Sequence, residues 1–190
     1  RARFPGVNVR LSHGQTSEIV QLLKEGKIDC GLIQLPLVDP LLLIREMAVL
    51  ENIFVVGEVF EEWTHQPLSA KELSALPFLG LSKASSTSRF VDQWFGSQGI
   101  SKQAEMELGS IDLLVELVKR GFGCAFVTRS FVREELVNKE LFEVKTIEPI
   151  PLRRIGIATR QGMTVSMAAA KFLEQLEKGK EDSANGCPLL

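Results

Sequence analysis

One local pattern recurs three times in this chain and limits what it can fold into: an apolar run of strand character, then a turn rich in Ser, Thr, Gln and Gly, then apolar residues at helical spacing. Val7-Asn8-Val9-Arg10-Leu11 alternates at period two, Gly14-Gln15-Thr16-Ser17 interrupts it, and Ile19, Val20, Leu22 and Leu23 follow at helical spacing up to Gly26. Phe78 to Leu81 reads as a second strand, with the polar turn Ser82 to Ser88 and a helix face of Phe90, Val91, Trp94 and Phe95 behind it. Glu105 to Leu108 is the third, followed by Gly109-Ser110 and by Ile111, Leu114, Val115 and Val118, an i, i+3, i+4, i+7 stripe that ends at Gly121. Strands that alternate with helices predict an α/β fold with parallel or mixed sheets flanked by helices.

The intervening sequence fits the same plan. Ile28 to Ile33, Leu42 to Val49, Ile53 to Val56, Gly123 to Val127, Leu141 to Lys145 and Arg154 to Thr159 read as strands. Ser69-Ala70-Lys71-Glu72 has the capping-box pattern and predicts a short helix to about Ala75, which Pro77 stops. A helix is expected over Arg129 to Asn138, and another carrying Val165, Ala168, Ala169, Phe172 and Leu176; residues 179–190 read as a flexible tail. Leu22-Leu23-Lys24-Glu25-Gly26 and Leu117-Val118-Lys119-Arg120-Gly121 end two similar strand–turn–helix segments, each followed by a Cys-containing strand. That similarity fits either two lobes of like build or the ordinary likeness of any two β-α-β units. Two lobes joined by crossing strands would leave a cleft, where ligands commonly bind.

Several function classes drop out. The longest apolar stretches, such as Leu41 to Ile44, are far short of the roughly 20 residues of a membrane-spanning helix. With 22 basic against 24 acidic residues and no Lys/Arg-rich run, these residues carry no nucleic-acid footprint. Three cysteines, Cys30, Cys124 and Cys187, are an odd number without Cys-x-x-Cys spacing; no disulfide framework is expected, and Cys30 and Cys124 read as small buried hydrophobes. The start at Arg1, leading through Phe4-Pro5-Gly6 into a strand, reads as a fragment whose N-terminal part is cut away. Nucleotide-binding glycine fingerprints are absent, and His13 and His65 have no partner at metal-ligand spacing. His13 beside Ser86 or Cys30 would serve as a hydrogen-bond donor rather than as a base. No catalytic residue, metal site or cofactor is expected.

What remains is the chemistry of the three turns. Each places hydroxyl or amide side chains where a helix begins, and helix starts offer free N–H groups and partial positive charge that bind carboxylate, sulfate or phosphate. Ser and Thr are also ordinary helix caps, so each turn alone has a structural explanation. Arg89, Arg129 and Arg160 are candidate cations for a ligand or ordinary surface charges.

Over nearly all of Phe4 to Leu176 the sequence resembles the effector-binding domain of LysR-type transcriptional regulators. The resemblance rests on Phe4-Pro5-Gly6-Val7, Gly14 with Ser/Thr at the first helix, and Gly26-Lys27-Ile28-Asp29-Cys30-Gly31. It continues through His65-Gln66-Pro67-Leu68-Ser69 with Glu72-Leu73, Pro77-Phe78, Gly109-Ser110 and Gly121-Phe122-Gly123-Cys124-Ala125-Phe126-Val127. The order and spacing carry it, not any single motif. Thr128 stands where the family often has Pro, and one extra residue separates His65 from Pro67.

The resemblance implies a two-lobed fold of the type 2 periplasmic-binding-protein kind, with lobe I over 1–76 and 151–178 and lobe II over 77–150. It further implies an N-terminal winged helix-turn-helix outside this sequence, through which promoter DNA is bound, and dimers that become tetramers in the full-length protein. A small effector in the inter-lobe cleft, anionic or polar, would then modulate transcription in the cytoplasm without catalysis. Positions matching the family's ligand contacts are Gln15, Thr16 and Ser17; Ser82, Ser85, Ser86 and Thr87; and Gly109 with Ser110, with Gln34 and Val127 at strand ends as further candidates. A solute-binding protein of a transporter, sharing the fold, is the alternative. An enzyme using Cys30 or His13 would need a side-chain couple that the spacing does not show.

Overall fold

The computed structural model describes residues 9–83, 85–163 and 165–184, and the chain divides into two units: residues 1–49 with 153–190, and residues 50–152. Unit 1 is a three-stranded sheet in the order β1 (Cys30–Leu35), β8 (Arg153–Arg160), β2 (Leu42–Leu50), with β1 and β8 antiparallel. Helix α1 (Thr16–Lys24) packs on one face, where Leu23, Ile33, Leu42 and Ala158 form the core. The absent side chain of Gly31 lets α1 lie close, since a Cβ there would collide with Ile19. Helix α6 (Met167–Ala184) completes the unit.

Unit 2 is a five-stranded mixed sheet in the order β5 (Met106–Leu108), β4 (Phe78–Leu81), β6 (Cys124–Thr128), β3 (Asn52–Val56), β7 (Phe142–Val144). β4 runs parallel to β5 and β6, and β3 runs antiparallel to β6 and β7. Every residue of β3 is buried, because helices cover both faces of this strand. Phe54 and Val56 face α2 (Ala70–Leu73) and α3 (Ser86–Ser97) in a core with Trp94, Phe95 and Phe126. Ile53 and Val55 face α4 (Ile111–Lys119) in a second core with Leu114, Val118 and Val127. The capping box forms as expected, with the Ser69 N–H donating to Glu72 Oε2 at 2.8 Å and the Glu72 N–H to Ser69 Oγ at 3.3 Å. The Ser69 hydroxyl also donates to Glu72 Oε2 at 2.7 Å, and this bond first, with that from the Ser69 N–H second, holds the Glu72 carboxyl below its usual pKa.

Four expectations need correction. Val9 to Leu11 form no strand, and Leu11 is exposed; Val7 and Asn8 lie outside the described residues. Residues 50–76, expected in lobe I, belong to unit 2, because β3 lies inside its sheet and α2 covers its core. The helix expected over Arg129 to Asn138 is a 3-10 turn at Arg129–Val132 followed by α5 (Arg133–Val137). The expected tail is helical to Ala184, since extending an existing helix costs far less than starting one; residues 185–190 lie outside the described residues. The two cysteines also differ: Cys124 is buried, whereas Cys30 is only half-buried, and Cys187 lies outside the described residues.

Candidate functional site: the polar helix starts

The parallel strands of unit 2 end together, with Leu81 opposite Leu108 and β6 on the other side of β4. The polar turns leave from that edge, where helices α3 and α4 begin. The Ser82 N–H donates to the Leu108 carbonyl at 2.9 Å and the Ser85 N–H to the Ser82 carbonyl at 2.8 Å, which fixes the approach to α3. Ser85 Oγ then accepts from the N–H groups of Thr87 at 3.1 Å and Ser88 at 3.4 Å. Ser85 is therefore the cap, and the Ser86 and Thr87 hydroxyls stand in the first turn beside the positive end of the helix. Gly109 and Ser110 are exposed at the start of α4, where Ser110 Oγ accepts from the Leu113 N–H at 3.5 Å.

The three helix starts differ in charge. The first turn of α3 holds no acidic residue, that of α4 holds Asp112, and that of α1 holds Glu18. The Glu18 carboxylate accepts from the Gln15 N–H at 2.7 Å, so the positive end of α1 already has an anion beside it. Thr16 Oγ1 accepts from the Gln34 N–H at 3.1 Å, tying α1 to β1; Ser17 is exposed. This bond uses the backbone donor of Gln34 internally. The Val127 side chain is fully buried and packs in the core beneath α4.

Two of the candidate arginines are engaged structurally. Arg129 pairs with Glu51 at 2.8 Å and Glu143 at 2.6 Å, and Arg160 Nη1 donates to the Lys24 carbonyl at 3.2 Å at the end of α1. Among the described residues no group of three or more His, Cys, Asp or Glu side chains is placed to hold a metal. Burial pushes the Cys124 thiol up to about 12, which leaves it inert as a nucleophile. Burial also raises the half-buried Cys30 thiol, with the charge of Asp29 adding to the effect.

One pair escaped the sequence reading. Asn52, at the start of β3, donates from Nδ2 to Thr128 Oγ1, at the end of β6, over 3.1 Å, and both residues are buried. The available signal was a lone amide opening the otherwise apolar run Asn52-Ile53-Phe54-Val55-Val56.

Polar helix starts occur in both α/β units, at α1 in one and at α3 and α4 in the other. Residues 1–180 match the LysR substrate binding domain family, and the chain belongs to that family. It is a ligand-binding domain of the LysR type, with the type 2 periplasmic-binding-protein-like fold. Among its relatives is an uncharacterized HTH-type transcriptional regulator, YeiE, of Escherichia coli (strain K12), 23% identical over 92% of this chain and 59% of that protein. Another is a probable RuBisCO transcriptional regulator of Cyanophora paradoxa, 28% identical over 93% of this chain and 56% of that protein. The regulatory domain of Synechocystis PCC6803 CcmR, solved in complex with 2-PG, superposes with a TM-score of 0.78 at 18% identity, covering 95% of this chain and 86% of that one. This chain spans less than two thirds of the length of such curated relatives. No helix among the described residues is long and apolar enough to cross a membrane.

Proposed function

We propose that this chain senses a small anionic metabolite and that the start of α3 is the principal anion contact. The single observation behind this reading is electrostatic. Of the three polar helix starts, α3 alone has no carboxylate in its first turn, and Ser86 and Thr87 add hydroxyls beside its N–H groups. Ser82 and Ser85 shape the approach, while Gly109 with Ser110 in unit 2 and Gln15, Thr16 and Ser17 in unit 1 supply further polar contacts, with Gln34 beside Thr16. In the whole protein, binding would alter promoter contacts made by an N-terminal winged helix-turn-helix, within a homo-oligomer in the cytoplasm. No cofactor is required for this role.

A thermal-shift screen against small carboxylates, phosphate and sulfur oxyanions and aromatic acids tests it. A ligand at about 100 times its dissociation constant adds roughly 2.7 kcal/mol to the folded state, a shift of several degrees. The expected result is a hit that the double substitution Ser86→Ala with Thr87→Val abolishes. A hit indifferent to that change, or none across the panel, would overturn the assignment of α3.

A further inference from the structure

Asn52 is 3% exposed and Thr128 5%, yet of the Asn52 amide only Nδ2 is matched; Oδ1 has no hydrogen-bond partner among the described residues. A buried acceptor without a donor is costly, and most such groups in proteins are paired. Its position gives the orphan a meaning. Asn52 lies opposite Thr128 in the β3–β6 ladder, so both project from one face, the face that also carries Phe54 and Phe126. Phe90, one turn into α3, stacks on Phe126 with ring centroids 5.9 Å apart. The N-terminal turn of α3 therefore lies at the same end and on the same face of the sheet as the Asn52–Thr128 pair.

The geometry points to Asn52 as a specificity residue of the α3 site, where its free carbonyl accepts a hydrogen bond from a hydroxyl that the effector carries beside its anionic group. This rests on the α3 reading above and adds the chemistry on the neighbouring side of the site. The helix end and the Ser86 and Thr87 hydroxyls can donate to an anion, whereas Asn52 Oδ1 can only accept. A simple carboxylate satisfies the first set and leaves the second unmatched; a hydroxy acid satisfies both. The near-complete burial of Asn52 restricts the reading to a small donor such as a hydroxyl. Sites built to bond a hydroxyl discriminate strongly against the analogue that lacks it, because the buried partner is then left unpaired.

Calorimetric titration with matched acids, lactate against propionate and malate against succinate, tests this on the 190-residue chain, on Asn52→Leu, on Thr128→Val and on Ser86→Ala with Thr87→Val. The unsubstituted chain should prefer the hydroxy member by roughly tenfold. Asn52→Leu should reduce that ratio to near one, and Thr128→Val, which removes the anchor of the amide, should reduce it in part. Should Asn52→Leu not fold, Thr128→Val carries the test. Acids that bind through Ser86 and Thr87 with no hydroxy preference, or with one that both single substitutions leave intact, would sink the Asn52 assignment while the α3 reading stands. Acids that do not bind, or bind regardless of Ser86 and Thr87, would overturn the α3 reading and this inference with it.

Discussion

The two units solve the same folding problem at different scales. Unit 2 has five strands and a buried core on each face, one of them aromatic, with Phe54 touching Trp94 at 5.2 Å and Phe126 at 4.7 Å between ring centroids. Among the described residues, unit 1 has three strands and one core cluster, built on Leu23, Ile33, Leu42 and Ala158. Since burial of apolar surface is the dominant favourable term, unit 2 should hold most of the stability and unit 1 should open more readily. The helix starts differ in the same direction: α3 in unit 2 leaves its positive end without a carboxylate, and α1 in unit 1 does not. Similar polar turns thus sit on scaffolds of different firmness, and α1 and α3 differ in whether a carboxylate stands in the first turn.

The hardest blow to this comparison would come from the cores. Phe54→Ala should cost about 3–5 kcal/mol and Leu23→Ala about 2–5 kcal/mol, the spread reflecting how far each cavity collapses. Both tryptophans, Trp63 and Trp94, lie in unit 2. Tryptophan fluorescence in a denaturant titration should therefore shift strongly with Phe54→Ala and little with Leu23→Ala. Equal shifts would show that the two units unfold as one. Thiol labelling gives a second view in a Cys187→Ser background. With burial pushing its thiol up to about 12, Cys124 stays protonated at pH 8 and should react only when unit 2 opens. Cys30, half-buried in unit 1, should react first, and the reverse order would contradict the ranking of the two units.

Much of this was legible in the sequence because the signals were local. The stripe Ile111, Leu114, Val115 and Val118 marks α4, and the last three are buried; Ser69 with Glu72 marks the capping box. What failed depended on distant partners. Val9 to Leu11 alternate as a strand should, but alternation does not supply a neighbour to pair with. Residues 50–76 follow lobe I in sequence, yet β3 finds its partners at Cys124–Thr128 and Phe142–Val144, some 70 to 90 residues later. The same limit hid the Asn52–Thr128 pair.

Smaller effects separate the helix starts themselves. Ser85→Ala removes an oxygen that accepts two N–H groups and should cost about 1 kcal/mol, with loss of order at the start of α3 visible in amide exchange. Glu18→Gln is the most delicate change and the most informative about field. The carboxylate of Glu18 should favour α1 by roughly 0.3–1 kcal/mol, so its neutralisation should lower stability slightly. The glutamine keeps an acceptor for the Gln15 N–H while removing the charge, so packing and capping are nearly preserved. If Gln15, Thr16 and Ser17 contact the effector, anion affinity should then rise severalfold, and added salt should shrink the gain as it screens the charge. An affinity unmoved by Glu18→Gln would leave α3 as the sole anion contact and confine the role of the first turn to joining α1 to β1 through Thr16.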